Sequence, residues 1–282
     1  MKKYLSLIKF SHTIFAMPFA LIGFFLASKQ YNFEWEKLVL VILCMIFARS
    51  AAMAFNRYLD KDIDSINERT KHIREIPNGK IKAKNALRFV IINSILFIIT
   101  SFFINNICFI LSPIALIIIL GYSFTKRFTA LCHFFLGIGL ALSPIGSYLA
   151  LSNKFDIIPI LISLAVLFWV SGFDIIYSLQ DEEFDKNHEL HSIPVLIGRK
   201  KAMKLAKILH LITLMTLSIV GVLYNFELYY WIGFSFFTIL LIYQHTLIKH
   251  NDLSKINIAF FTTNGIASII FGSLVILEIL IK

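Results

Sequence analysis

The sequence predicts an all-α polytopic membrane protein of about nine transmembrane helices in a bundle, built as two four-helix halves plus one further helix. Three observations predict it. First, 58% of the 282 residues are hydrophobic and only 16% are charged, against roughly 25% charged in a soluble domain. The mean hydropathy is +0.77, more apolar surface than a water-soluble core of this size can hide, so the bilayer is the natural solvent. Second, apolar runs of about 18–25 residues recur without the two-residue alternation of barrel strands. In lipid only helices or closed barrels pair every backbone polar group internally, so these runs are helices. Third, Lys and Arg gather in alternate connections, as membrane orientation requires.

The elements follow in chain order. Spans are expected at about 10–28, 38–59, 86–104, 106–124, 129–151, 157–179, 203–223, 228–248 and 256–280. Asn105 separates the third and fourth spans and marks a tight hairpin. Residues 1–9 are basic and an apolar stretch follows, but no small-residue cleavage site ends it. The first segment is therefore expected to be a retained helix and not a signal peptide. With the N-terminus in the cytoplasm, 22 Lys and Arg residues face that side, and only Lys29, Lys37, Lys154 and Lys282 face the other. This bias predicts an N-terminus inside and a C-terminus outside, and the expected location is a bacterial inner (cytoplasmic) membrane. It also accounts for the net charge of +10 without nucleic acid, for which no motif is present. Cys44, Cys108 and Cys132 lie in apolar runs without metal-ligand spacing and read as packed small hydrophobes. Residues 1–282 are expected to form a single membrane domain.

The two longest connections, 60–85 and 180–202, are both predicted to be cytoplasmic, and they hold ten of the 17 acidic residues. Cytoplasmic loops are normally basic, so this concentration calls for a reason beyond a solvated loop. The loops lie four helices apart, which suggests a pseudo-repeat.

In the first cluster, Asn56, Asp60 and Asp64 recur every four residues, which on a helix puts three oxygen-bearing side chains along one face. In the second, Asp174, Asp181 and Asp185 fall on one helical face beside Tyr177. Such oxygen sets suit Mg²⁺, a hard cation that keeps several waters. Two clusters facing each other across a bundle would hold Mg²⁺ ions and a diphosphate between them. Like charges four residues apart destabilise an isolated helix, so a cation is expected to offset them.

Basic residues complete the picture. Arg69, Lys71 and Arg74 follow the first cluster and are placed to neutralise a diphosphate, although positive-inside charge alone also explains any one of them. Arg49 precedes Asn56 by two turns, on the same helix face, and an arginine inside a span is expected to point into a polar cavity. Lys126 and Arg127 close the fourth span, as interfacial snorkelling residues or as contacts to a diphosphate or an acceptor carboxylate. His12, His133, His210 and His245 are scattered singly and read as packing or interfacial residues. No phosphate-binding glycine loop, zinc motif or activated nucleophile competes with the acidic clusters.

With these residues in view, the chain resembles the UbiA superfamily of intramembrane aromatic prenyltransferases. The resemblance rests on Asn56/Asp60/Asp64 after the second span and on Asp181/Asp185 after the sixth. Further matches are Arg69-Thr70-Lys71 with Arg74 and Pro77, the run from Tyr122 to Thr129, Asp174 with Tyr177, and the start at Phe10-Ser11-His12-Thr13 with Pro18-Phe19-Ala20. It covers essentially the whole chain. It implies a nine-helix bundle with a central cavity capped by the two acidic loops, Mg²⁺ dependence, and transfer from a polyprenyl diphosphate to a small aromatic acceptor of the 4-hydroxybenzoate type in ubiquinone or menaquinone synthesis. Asp60, Asp64, Asp181 and Asp185, with Asp174, are then the catalytic carboxylates, and Asn56 joins the first four as a metal ligand. Arg49, Arg69, Lys71, Arg74, Lys126, Arg127 and Tyr177, again with Asn56, bind substrate. Besides the substrates, the bilayer is the only partner inferred, and no protein partner is.

Two features depart from many ubiquinone-pathway members. Arg57 stands where they carry Asp, with an extra Asp62, and the spacing from Arg69 to Arg74 is one residue longer. The context 48–57 resembles members that prenylate 1,4-dihydroxy-6-naphthoate, which keeps that acceptor open. From another class, a cation-coupled secondary transporter also uses paired repeats and buried acids, although here the acids gather at one interface and not at the bilayer midplane.

Overall fold

The structure, a computed structural model, describes residues 2–8 and 16–282. The motif residues Phe10 to Thr13, His12 among them, and the start of the first expected span lie outside the described residues. The described chain is helical, and seven helices are long and apolar enough to cross a membrane. They correspond to the second through seventh and the ninth expected spans.

The other two expected spans differ for identifiable reasons. Helix α2 (Met17–Ser28), which follows a short α1 (Lys2–Leu7), has 12 described residues. Helix α12 (Leu228–Leu247) has 20 residues, but its tyrosines with Gln244 and His245 dilute its apolar character. Between them lie α3 (Trp35–Leu59), α4 (Lys61–Ile66), α5 (Ala83–Ile104), α6 (Asn106–Thr125), α7 (Cys132–Ser152), α8 (Ile157–Ser178), α9 (Glu182–Asn187), α10 (Ile193–Ile197) and α11 (Arg199–Leu223). The ninth expected span begins as a π-helical turn, Ile258–Thr263, before α13 (Asn264–Ile281). Asn264 Nδ2 donates back to the carbonyls of Ala259 and Phe260, which holds this wide turn.

The chain folds into two compact units. One draws on the described residues of Met1–Thr13 and Glu36–Phe124, and the other on those of Ile14–Trp35 and Thr125–Lys282. In the first unit, Leu7 and Ile8 pack with Ala51 and Ala54 of α3, Ile81, and Ala86 and Val90 of α5. The alanines let helix backbones approach closely, as membrane packing favours where lipid already solvates apolar side chains. The expected hairpin at Asn105 forms: its backbone is extended, and its Oδ1 accepts from the Cys108 amide at 2.8 Å, capping the first turn of α6. Ile91, Ile92, Ile95 and Phe102 of α5 and Ile110, Ile114 and Ile117 of α6 remain exposed, as lipid-facing positions do.

The second unit is larger. Helix α8 packs between α7 and α11, while α2 packs on α7 and α13. The first expected span therefore does not group with the second through fourth: its described part, α2, is built into the second unit. The reason is a pair of close approaches. A Cβ added at Gly23 would lie 2.0 Å from the Pro144 carbonyl oxygen of α7, and one at Gly272 of α13 would lie 2.5 Å from Pro18 Cβ. Phe19 then inserts among Trp169 and Phe271, with ring centroids at 5.3 and 6.0 Å.

Glu278, a buried carboxylate in α13, is explained by the start of α12. Its oxygens accept from the Glu227 and Tyr230 amides, so it caps a helix N-terminus that has no cap of its own.

Gly23→Ala is expected to separate α2 from α7 and to destabilise the protein by about 1–3 kcal/mol. A lower thermal unfolding midpoint in detergent would register it. Gly139→Ala on α7, where a Cβ meets nothing within 4 Å, is expected to leave the midpoint essentially unchanged.

Candidate active site

In the first unit the carboxylates stand where α3 gives way to α4. Asp60 leaves ideal helical geometry at φ −88° and ψ 8°, but the hydrogen-bond run continues through it. The Asp60 amide donates to the Asn56 carbonyl at 2.9 Å, and the Asp64 amide donates to the Asp60 carbonyl at 2.7 Å. The four-residue spacing therefore survives the junction. Asn56 Nδ2 donates to Asp60 Oδ2 at 3.0 Å, which draws the first two members of the expected set together. The third, Asp64, is buried and paired with the Arg74 guanidinium.

The loop after α4 is folded by its own side chains. Asn67 Oδ1 accepts from the Arg69 amide at 2.9 Å, and Thr70 Oγ1 donates to the Asp64 carbonyl at 3.0 Å. These bonds turn the chain so that Arg74 returns to Asp64, ten residues earlier. Of the three expected phosphate cations, Arg74 pairs with the buried Asp64. Lys71 pairs with the exposed Glu68, whose carboxyl its hydrogen bond holds below the usual range, and Arg69 is half-buried. Arg49 keeps a buried Nε with no hydrogen-bond partner. Arg57, one of the departures from the family pattern, is buried and donates to Asn56 Oδ1 at 3.3 Å. It orients the amide whose other end holds Asp60.

In the second unit α8 runs on through a single 3₁₀ turn, Leu179–Asp181, into α9. Asp181 is buried, and Asp185 is fully buried at 0% exposure. Lys126 Nζ lies 2.7 Å from Asp185 Oδ1, while Oδ2 has no hydrogen-bond partner. The Lys126 carbonyl accepts from the His191 amide at 2.8 Å, which fixes the lysine against the loop after α9. Arg127 is exposed. Glu182 pairs with Arg199, which ties α9 to the start of α11.

Asp174 precedes Asp181 by about two helical turns. It is held by His133 Nδ1 at 2.7 Å, and the Ile193 amide donates to the other ring nitrogen at 3.4 Å. With Nε2 accepting, the ring proton sits on Nδ1 and points at the carboxylate. His133, expected to be a packing residue, is thus the partner of a candidate catalytic acid. Nothing within the local sequence signals this, because the two residues lie 41 positions apart. Tyr177 packs on Phe260 of the π turn with ring centroids 4.1 Å apart, and Phe261 stands edge-on at 5.8 Å. Aromatic faces beside a carboxylate make a flat, half-polar surface of the kind a small aromatic acid would use.

The donor chemistry fits a hard divalent cation. Among the described residues no three His, Cys, Asp or Glu side chains close a cation cage. What is present is a partial oxygen set in each unit, Asn56 with Asp60 in the first and the buried, half-paired Asp185 in the second. Mg²⁺ prefers this arrangement to an all-protein cage.

Comparisons with known proteins agree with the helical membrane fold and identify the family. Residues 16–266 match the model of the UbiA prenyltransferase family. A 4-hydroxybenzoate octaprenyltransferase of Vesicomyosocius okutanii is 30% identical over 252 residues, 89% of this chain and 91% of that protein. One from Paraburkholderia phytofirmans is 29% identical over 237 residues, 84% of this chain and 82% of that protein. Among solved structures, an apo UbiA homologue from Aeropyrum pernix superposes with a TM-score of 0.85 at 30% identity, covering 95% of this chain and 98% of its own. A UbiA homologue from Archaeoglobus fulgidus, solved with GPP and Mg²⁺, shares the fold at a TM-score of 0.73 and 23% identity, covering 98% of this chain and 99% of its own.

Proposed function

Because the chain belongs to the UbiA prenyltransferase family, we propose that it transfers a polyprenyl chain from a magnesium-chelated polyprenyl diphosphate to the ring of 4-hydroxybenzoate, a step of ubiquinone-type quinone synthesis. The chain is a prenyltransferase embedded in a membrane, and the cation-coupled transporter is not favoured. The observation that carries the finer reading is Asp185, a fully buried carboxylate with one oxygen unpartnered. Lys126 compensates one oxygen, and the other is costly to bury unless a further cation completes it.

Asn56, Asp60 and Asp64 of the first unit, and separately Asp181 and Asp185 of the second, would each offer oxygens to Mg²⁺. Bound there, the metal supplies Lewis-acid neutralisation of a diphosphate. The residues do the rest. Arg74 and Lys126, each already paired with a buried carboxylate, keep positive charge beside the acidic sets and stabilise the pyrophosphate as it departs. Arg69, Lys71 and Arg127 add a more exposed ring of charge. Arg49 offers its unpartnered donor to an anionic group of the substrate.

The allylic C1–O bond breaks with its electron pair going to pyrophosphate. The ring carbon ortho to the phenol forms the new C–C bond, and the displaced ring proton leaves to a base. Asp174 takes that role, with His133 fixing its orientation, while Tyr177 and Phe260 support the ring. The protein contributes orientation, electrostatics and exclusion of the water that would quench the cation. The sided charge bias supports a reading in which the protein lies in a bacterial inner membrane with its N-terminus and acidic loops on the cytoplasmic side and its C-terminus outside.

The test is a reconstituted assay with a polyprenyl diphosphate and 4-hydroxybenzoate, reading prenylated acid and pyrophosphate together. The two are expected in equal amounts. Faster turnover of 1,4-dihydroxy-6-naphthoate would move the acceptor assignment to a menaquinone route, as the 48–57 context allows. Absence of prenylated product with either acceptor would remove the proposal.

A further inference from the structure

A basic cleft lies in the first unit, apart from the carboxylates. A cavity of about 550 Å³ opens between α1, the turn at Gly79–Lys82 and the first turns of α5. It is lined by Lys3, Lys80, Lys82, Lys84 and Arg88, with Tyr4 and Asn85, and by no acidic residue. Among the described residues none of these five cations has a carboxylate partner. Five like charges around one cleft repel one another unless an anion occupies it.

From this we infer that the cleft binds the phosphate head group of an anionic phospholipid. Its place in the chain selects a lipid over a soluble phosphate. Lys82 and Lys84 flank the first residue of α5, one of the helices fit to span the bilayer, and Arg88 lies one turn further along it. Cations at that level of a span meet the phosphate layer of a membrane, and basic clusters there attract anionic lipid. Beyond Arg88 the helix exposes Ile91, Ile92 and Ile95, an apolar track along which acyl chains can lie while their phosphate sits in the cleft. The helix N-terminus adds unpaired amides that favour a negative group, since Lys82 provides no side-chain cap.

The cleft is also joined to the loop that carries Arg74. Tyr4 stacks on Phe89 at 5.0 Å, Ser6 donates to the buried Glu75, and the Ile81 amide donates to the Glu75 carbonyl at 3.0 Å. A bound head group therefore pins α1 and the 75–81 turn to α5, and so braces the segment beginning at Arg74.

The test is native mass spectrometry of the full chain released from neutral detergent and titrated with phosphatidylglycerol or phosphatidylcholine. Binding of the first phosphatidylglycerol is expected to be roughly tenfold tighter than that of phosphatidylcholine, given the contribution of basic residues at a membrane surface. K82Q/K84Q/R88Q, all exposed positions, is expected to lose that preference. K82R/K84R/R88K is expected to keep it, and so is K200Q/K201Q/K204Q, which removes the same charge from α11. Equal affinity for the two lipids would overturn the proposal. So would an undiminished preference in the first variant, or an equal loss in the α11 variant. Displacement of phosphatidylglycerol by millimolar inorganic phosphate would reassign the cleft to a soluble anion and overturn the lipid. The readout is binding, so it stands whether or not the acceptor assigned above is correct.

Discussion

Asp185→Ala is expected to lower kcat for prenyl transfer by roughly 10²–10³-fold, the scale of removing one preorganised electrostatic contact. Asp60→Ala is expected to do the same, for a different structural reason. Asp185 has no exposure and one unpartnered oxygen, so its loss would remove a proposed cation ligand together with the carboxylate that Lys126 meets at 2.7 Å. Asp60 is only half-buried and is steadied by Asn56 at 3.0 Å, so its loss would remove a proposed ligand with less cost to folding. Comparing the two separates catalysis from stability. Asp60→Ala should keep a near-native unfolding midpoint while activity falls, whereas Asp185→Ala should show both effects. A rate within about threefold of wild type for Asp60→Ala would remove that residue from the site. Asp62, which is exposed, is expected to tolerate alanine with little change.

Stripping divalent cations with EDTA should take activity to background, and adding Mg²⁺ should restore it. The reason is electrostatic. On the proposed mechanism the acidic sets and the diphosphate are both anionic, and Arg74 and Lys126, each paired with a buried carboxylate, supply too little positive charge to offset both without a metal. Ca²⁺ is larger, takes six to eight oxygen ligands and tolerates irregular geometry, so it is expected to bind yet support a much lower rate. Activity that survives chelation, measured as pyrophosphate release, would exclude metal dependence.

The carboxylates were legible in the sequence because their spacing is a local helical property. Asn56, Asp60 and Asp64 keep the four-residue register even where the helix breaks at Asp60, since amide-to-carbonyl bonds carry it across. Arg74 was legible as a basic residue near acids, but its pairing with Asp64 depends on the turn built by Asn67 and Thr70. Lys71 illustrates the opposite case: equally well placed along the chain, it is engaged by Glu68 three residues away. His133 and Glu278 were not legible at all. A lone histidine and a lone glutamate in apolar helices carry no periodic signal, and their partners, Asp174 and the start of α12, lie dozens of residues distant.

The sequence by itself determined the solvent, the helical class and the four-residue register of Asn56, Asp60 and Asp64. Each of these follows from composition or from periodicity within one or two turns. Only the tertiary structure decided that the described part of the first span joins the second unit, that Glu278 is a cap, that Arg57 orients Asn56, and that the ninth span opens with a π turn against Tyr177. These outcomes depend on which surfaces meet, as at Gly23 and Pro144, where the missing side chain sets the approach of two helices. In a bilayer every apolar face is equally well solvated by lipid, so hydrophobicity alone does not choose partners. Shape and buried hydrogen bonds do, and both are fixed only when distant segments touch.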